Sequence, residues 1–241
     1  MVVWCKLAHD HVVRLHGWIP YLENPEILCP GLVSNWCDGG DVTTFLKRSP
    51  QADRQALICG IACGLEYLHS KKVVHGDMKP DNVVMGDKST PQLCDFGLSF
   101  ITSDKTTFLH ASSMFATGRY LAPEVFESEE PFRNEKTDVW AFGCTAMEIL
   151  RSEPPYSTTR NELAVFKVIG TTPPFDLSPT QPTEEILVRC LNFDPEGRIN
   201  MGDVAKRLKQ NGSRSGCPDN SSATQSFSYP LQFPSAAILS T

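Results

Sequence analysis

Asp77, Lys79, Asn82 and Asp95 bring a carboxylate, a compact cation, an amide and a second carboxylate into one short stretch of a 241-residue chain. The segment reads His75-Gly-Asp77-Met-Lys79-Pro-Asp-Asn82, and Asp95-Phe-Gly follows it. Between the two lie Val83-Val84-Met85 and Gln92-Leu93-Cys94, short apolar runs on either side of Gly86-Asp87, which is the pattern of a hairpin. If those runs pair antiparallel, Asn82 just before the first strand and Asp95 just after the second meet at the same open end. An amide oxygen and a carboxylate converging there are hard donors of the kind Mg²⁺ accepts, with room for water and phosphate oxygens. Pro80 keeps the preceding loop out of helix, so Asp77 and Lys79 lie beside the metal donors. A base and a phosphate-neutralising charge are then within reach of the metal.

The elements that must position this stretch read mostly as helices. Leu57, Ile58, Ile61, Ala62, Leu65 and Leu68 recur at spacings of three and four, which predicts an amphipathic helix running to His69, with Ser49 as N-cap and Pro50 at its first position. Asp138 to Leu150 is apolar on nearly every face, the signature of a helix inside a large domain, and Asp138 is the expected cap. Further helices are expected around 160–169, 184–192 and 201–209, the last opened by Asn200 with Asp203 in its first turn. Residues 73–100 break into short strands and loops. The fold class is therefore α+β with helix dominant. From 211 to 241 there are eight Ser and only two charged groups, Arg214 and Asp219, with no periodicity, so a disordered tail is expected.

Composition narrows the functions available. With 41% hydrophobic and 21% charged residues the chain can bury one substantial core. A formal net charge of −6 argues against an electrostatic grip on nucleic acid or anionic lipid and favours a basic partner. Lys6 and Asp10 interrupt any signal-peptide core, and no apolar run is long enough to span a membrane, so an intracellular, cytoplasmic protein is expected. Nine cysteines, an odd number without regular spacing, sit mostly among apolar neighbours as reduced thiols do. Cys59 and Cys63 share a helix face, but no second ligand pair accompanies them, so packing is the reading there rather than zinc.

The motifs resemble those of protein kinases, over residues 7 to 210 and in the family's order. The match consists of the HxDxKPxN loop at 75–82, Asp95-Phe-Gly97, Ala122-Pro-Glu124, Asp138-Val-Trp-Ala-Phe-Gly143 and Arg198. The resemblance implies a kinase-like fold in which residues 1–40 are a small-lobe remnant and hinge, 41–210 the large lobe and 211–241 the tail. It implies ATP and Mg²⁺ as cofactors and a protein substrate with a Ser or Thr acceptor, and it is closest to the tyrosine-kinase-like group of serine/threonine kinases. Asp77 then matches the catalytic aspartate that accepts or orients the hydroxyl proton, and Lys79 the lysine on the transferring phosphate. Asn82 and Asp95 match the magnesium ligands, and Thr117 the threonine that bonds the catalytic aspartate and lysine. The backbones of Asn35 and Cys37, in a stretch resembling the hinge, would meet adenine. Glu124 and Arg198 would form a structural ion pair, Asp138 would bond the catalytic-loop backbone, and His75 would pack in a spine with Phe96 and Leu15.

Two departures from the family pattern shape the expectations. Gly76 replaces the arginine that usually precedes the catalytic aspartate, so the segment after Asp95 is expected to order without phosphate. The sequence also contains no glycine-rich phosphate loop and no lysine strand, which removes phosphate contacts that transfer depends on and exposes apolar surface. A serine/threonine kinase shown without most of its small lobe is one expectation, and a shortened, catalytically inactive pseudokinase acting as an interaction module is the alternative. The intact set of Asp77, Lys79, Asn82, Asp95 and Thr117 favours the enzyme.

Overall fold

Helices carry most of the computed structural model, which describes residues 4–24, 27–95, 100–101, 118–127, 133–159 and 161–214. Asp41 opens helix α1 (Val42–Arg48) by accepting from the Thr44 N–H at 2.8 Å, and Ser49 closes it, its own N–H donating to the Phe45 carbonyl at 2.8 Å. The expected start of the next helix at Ser49 and Pro50 is thereby corrected. Helix α2 (Arg54–Ser70) starts after a turn, with Asp53 accepting from the Ala56 N–H as its N-cap. A serine followed by proline reads equally well as a helix start and as a stop, and the preceding turn of helix decides it. Within α2 the expected apolar face is buried, from Leu57 and Ile58 to Leu68.

Helix α3 (Pro123–Glu127) precedes α4 (Glu135–Arg151), whose Trp140, Phe142 and Met147 are wholly buried. The cap of α4 is Asn134, not Asp138. Its side chain accepts from the backbones of Lys136 and Thr137, and the Thr137 hydroxyl accepts in turn from the Asn134 N–H. Helices α5 (Glu162–Val168), α6 (Pro182–Cys190) and α7 (Met201–Arg214) complete the helical body, and α7 is capped by Asn200 as expected. Residues 215–241, and with them most of the expected Ser-rich tail, lie outside the described residues. No helix among the described residues is long and apolar enough to cross a membrane.

The strands are short and come in pairs. Strand β1 (Leu15–Asn24) pairs antiparallel with β2 (Ile27–Ser34), β3 (Val73–Val74) with β6 (Phe100–Ile101), and β4 (Val83–Met85) with β5 (Pro91–Leu93). The β1–β2 ribbon leaves Trp18, Ile19, Leu32 and Val33 exposed, and Trp36 follows it almost bare. The segment before β1 is tied to β5 by Leu93 N–H to His11 O and Val13 N–H to Leu93 O, each 2.9 Å, and crosses α2 at Gly64. A Cβ on Gly64 would come within 2.6 Å of the His11 carbonyl, so only glycine permits that approach.

One ion pair at the far end of α4 sets an acid limit on stability. Arg151 Nε donates to Glu184 Oε1 at 2.8 Å, and Thr180 donates to Oε2 through both its backbone N–H and its hydroxyl. The arginine foremost holds the Glu184 pKa down at about 2. A carboxylate whose folded pKa is depressed stabilises the protein above its unfolded pKa of about 4.3 and loses that contribution as pH falls toward the folded value. Glu184→Gln should therefore melt below the parent at neutral pH and converge with it between roughly pH 4.5 and pH 2. Melting curves across that range give the check, and a constant gap would contradict the assignment.

Candidate functional site

The loop between β3 and β4 is fixed from beneath by one buried carboxylate. Asp138 of α4 accepts from the backbone N–H of His75 at 2.8 Å, from that of Gly76 at 2.9 Å, and lies 3.0 Å from His69 Nε2. Gly76 takes φ +80°, a left-handed conformation that strains a residue with a side chain, so glycine suits this position for a reason unrelated to charge. His75 is fully buried, and burial pushes its pKa down, so its ring is neutral at pH 7. Its Nδ1 accepts from the Asp77 N–H at 3.2 Å, which puts the ring proton on Nε2, 3.0 Å from the Cys94 carbonyl it bonds. The expected core role for this histidine is what the structure shows, while its expected neighbour Phe96 lies outside the described residues.

With the loop so held, the reactive groups converge. Asp77 is 7% exposed, and its Oδ2 lies 3.2 Å from Lys79 Nζ and 2.9 Å from Asn82 Nδ2. Asn82 Nδ2 also donates to the Asp77 carbonyl at 2.7 Å, so both its donor bonds turn toward the aspartate and its amide oxygen is the atom left for a cation. Lys79 and Pro80 start a short 3₁₀ turn, Pro80–Asn82, in which the Asn82 N–H donates to the Lys79 carbonyl. The β4–β5 register pairs Val83 with Leu93, and the Cys94 N–H donates to the Asn82 carbonyl at 3.0 Å. Asn82 and Asp95 thus flank the same end of the hairpin. Asp95 is exposed and sits at φ +56°, an uncommon conformation for a non-glycine residue and one that recurs at functional sites. Next to it, Cys94 is pushed up to about 12 by burial and stays a thiol. Among the described residues no three His, Cys, Asp or Glu gather around a common point. The donors here are one amide and one carboxylate, which suit a cation that keeps several waters.

Asn35 and Cys37 follow β2 directly. The connection from them to α1 is tied to the hairpin by Gly39 N–H to Met85 O at 3.2 Å and Met85 N–H to Gly40 O at 2.9 Å. Cys37 Sγ reaches Gln92 Oε1 at 3.6 Å, and Asn35 Oδ1 meets His16 Nε2. Cys37 is thereby tied to the hairpin that Asn82 precedes, while Asn35 is bonded to His16 of β1, and among the described residues no bond joins either of them to Asp77 or Asp95. Thr117 lies outside the described residues. On the other side of the loop, Arg198 grips Glu124 with both guanidinium nitrogens, at 2.7 and 3.1 Å, as the motif implied.

Sequence reasoning missed Arg133. Its side chain is 6% exposed, all three guanidinium nitrogens are buried without a hydrogen-bond partner among the described residues, and it lines a cavity of about 10 Å³ with Gly76, Asp77, Tyr120 and Asp138. A cavity of that size takes one water, which cannot satisfy five N–H groups. Asp77 and Asp138 attract the charge but do not bond it, and burial pulls its pKa down. An arginine just before a helix cap carries no pattern that would have flagged it. Arg133→Met should remove a buried charge that lacks a hydrogen-bond partner among the described residues, at nearly constant volume, and gain about 1–4 kcal/mol. For a domain of this size that is a rise in Tm of roughly 2 °C or more. A fall in Tm would mean that the guanidinium has a partner.

The arrangement is that of the large lobe of a protein kinase. Comparison with known proteins agrees, for the protein kinase domain profile matches residues 1–209. The chain belongs to that family. Among curated relatives it is 28% identical over 205 residues to the cytokinesis protein sepH of Emericella nidulans, covering 83% of this chain and 14% of that protein. It is 30% identical over 204 residues to an Aurora kinase of Eremothecium gossypii, covering 83% of this chain and 53% of that one. It is 27% identical over 220 residues to the serine/threonine-protein kinase fray1 of Dictyostelium discoideum, covering 85% and 37%. The chain thus spans about half or less of the length of each of these relatives.

Proposed function

We propose that this chain transfers the γ-phosphate of ATP to serine or threonine hydroxyls of a protein substrate. The observation that carries the reading is the shared carboxylate oxygen of Asp77, held by Lys79 on one side and Asn82 on the other at the end of the β4–β5 hairpin. In this reading Asp77 accepts or orients the proton of the attacking hydroxyl, and Lys79 lies against the transferring phosphate. Asn82 and Asp95 hold Mg²⁺, which when bound neutralises charge on the phosphate oxygens. Asn35 and Cys37 offer backbone to adenine, and Thr117 positions Asp77 and Lys79. Residues 1–40 serve as small-lobe remnant and hinge, 41–210 as the large lobe, and 211–241 as a tail. The net charge of −6 favours basic acceptor proteins and argues against nucleic acid, and the place of action is intracellular and cytoplasmic.

The test is incubation of the chain with radiolabelled ATP, Mg²⁺ and a basic acceptor protein, followed by hydrolysis and separation of phosphoamino acids. Label in phosphoserine and phosphothreonine that disappears with EDTA is the expected result. Label confined to phosphotyrosine, or no label above a blank without protein, would overturn the proposal.

A further inference from the structure

The cavity beside Gly76 holds a buried charge whose hydrogen bonds the described residues leave unmade. Arg133 lines it at 6% exposure, with none of its three guanidinium nitrogens bonded. The polar groups around it have partners elsewhere. Asp138 accepts from the His75 and Gly76 backbones and meets His69, while Asp77 is held by Lys79 at 3.2 Å and by Asn82 at 2.9 Å. The Thr137 hydroxyl exchanges both its bonds with the Asn134 backbone, and the Tyr120 hydroxyl donates to Glu148 at 2.7 Å. Gly76 brings no side chain to the lining, and Met78, Leu121 and Val125 make much of the rest apolar. We propose that Arg133 holds a chloride ion in this cavity, bound through its N–H groups.

A guanidinium offers five donors and no acceptor, so what completes it is an acceptor, and a charged one best repays the buried cation. The helix geometry adds to this. Arg133 directly precedes Asn134, the cap of the 17-residue α4, so the positive end of the helix dipole lies against it. That end raises the cost of a lone cation and favours an anion. Size decides which anion. A volume of about 10 Å³ takes one body the size of a water, which excludes phosphate, sulfate and a carboxylate, whereas a halide ion is only slightly larger than water. The apolar walls also suit a weakly hydrated ion better than a strongly hydrated one. Asp77 and Asp138 repel the ion without touching its donors, which keeps the affinity modest. A dissociation constant on the order of 10 mM follows, the worth of two charge-assisted hydrogen bonds less the cost of stripping the ion. The gain expected above for Arg133→Met therefore belongs to halide-free buffer, and chloride should erode it by stabilising the parent alone.

The experiment melts the full chain, parent and Arg133→Met, as sodium gluconate is replaced by sodium chloride up to about 200 mM at constant ionic strength. At about twenty times the dissociation constant, the parent Tm should climb by roughly 4–7 °C along a saturating curve. The variant should move by less than about 1 °C, so its lead narrows or reverses. Bromide should act as chloride does, and crystals soaked in bromide should show an anomalous peak beside the Arg133 guanidinium. Sulfate, which stabilises by exclusion from the surface, should shift parent and variant equally. Equal chloride responses of parent and variant would overturn the proposal. So would a parent that melts above the variant without halide, because the guanidinium would then have its partner within the chain. A bromide peak without a halide-dependent Tm would mean an adventitious ion only and would equally sink it. No readout here involves ATP, so this proposal and the phosphotransfer reading stand or fall separately.

Discussion

Exchanging Asp77 for Asn should lower phosphotransfer by about 10²- to 10⁴-fold while leaving the chain folded. The amide keeps the shape of the carboxylate, and its oxygen still accepts from Asn82 Nδ2, so the hydrogen bond that orients the metal donor survives. What is lost is the charge that takes or orients the hydroxyl proton, together with the ion pair to Lys79, whose side chain is only 14% exposed. Losing that pair should cost about 1–3 kcal/mol, visible as a modest fall in Tm. Asp95→Asn gives a different pattern, because Asp95 stands at the hairpin end beside the Asn82 amide and bonds the cation in this reading. The rise in Tm produced by ATP with Mg²⁺, relative to ATP with EDTA, should persist in Asp77→Asn and vanish in Asp95→Asn. Parent-like transfer by Asp77→Asn would remove Asp77 from the chemistry. Equal Mg²⁺ responses of Asp95→Asn and the parent would remove Asp95 from the metal site.

These assignments were open to sequence reading because the residues concerned are close in the chain. A hairpin of three-residue strands converts the spacing between Asn82 and Asp95 into proximity by local geometry alone, and the observed Val83–Leu93 register does so. The α2 face was legible for the same reason, since a period of 3.6 is a local property. Helix ends depend on competition between neighbouring turns, and there the reading slipped. Ser49 caps the end of α1, a helix whose Val42-Thr-Thr start is β-branched and weak in propensity, and Asn134 displaces Asp138 as the cap of α4. The displacement has a chemical consequence. Freed from its own helix end, Asp138 spends both carboxylate oxygens on the His75 and Gly76 backbone and on His69, contacts 62 or more residues apart in sequence. Arg133 was invisible for the opposite reason, because a buried cation without a hydrogen-bond partner among the described residues has no spacing pattern to betray it.

Gly76 shows how one residue carries two readings. By type it is a missing cation, and by conformation it relieves a left-handed backbone whose N–H must point at Asp138. The second is a property of the folded loop, and no spacing rule announces it. The loop's shape is then set by Asp138 from below and by the neutral His75 ring bridging to the Cys94 carbonyl. Asp77 and Asn82 are placed by main-chain bonds, Asp77 N–H to His75 Nδ1 and Cys94 N–H to the Asn82 carbonyl, in addition to the side-chain bonds among Asp77, Lys79 and Asn82, a condition under which a reactive carboxylate keeps its geometry when substrate arrives.

Arg198→Met should be the most destabilising of the substitutions considered, by about 3–5 kcal/mol. For about 200 folded residues that corresponds to a fall in Tm of roughly 6–20 °C. Methionine fills much of the volume, so the cost is not a cavity. It lies in the acceptors left behind: both oxygens of Glu124, the Lys136 carbonyl at 2.7 Å and the Asn192 carbonyl at 3.0 Å, with the stacking on Trp140 at 5.2 Å also lost. Lysine cannot substitute, because a single ammonium cannot bind both carboxylate oxygens in the plane that the guanidinium uses. The charge left on Glu124 dominates, and it can be tested separately. Glu124→Gln should be destabilising alone, yet in the Arg198→Met background it should recover part of the loss, because it removes the charge that the first substitution orphaned. Urea melts of the parent, the two single variants and the double variant close that cycle. Strict additivity of the two single effects would show that Glu124 and Arg198 do not act as a pair, and that Arg198 stabilises through its bonds to the Lys136 and Asn192 carbonyls alone.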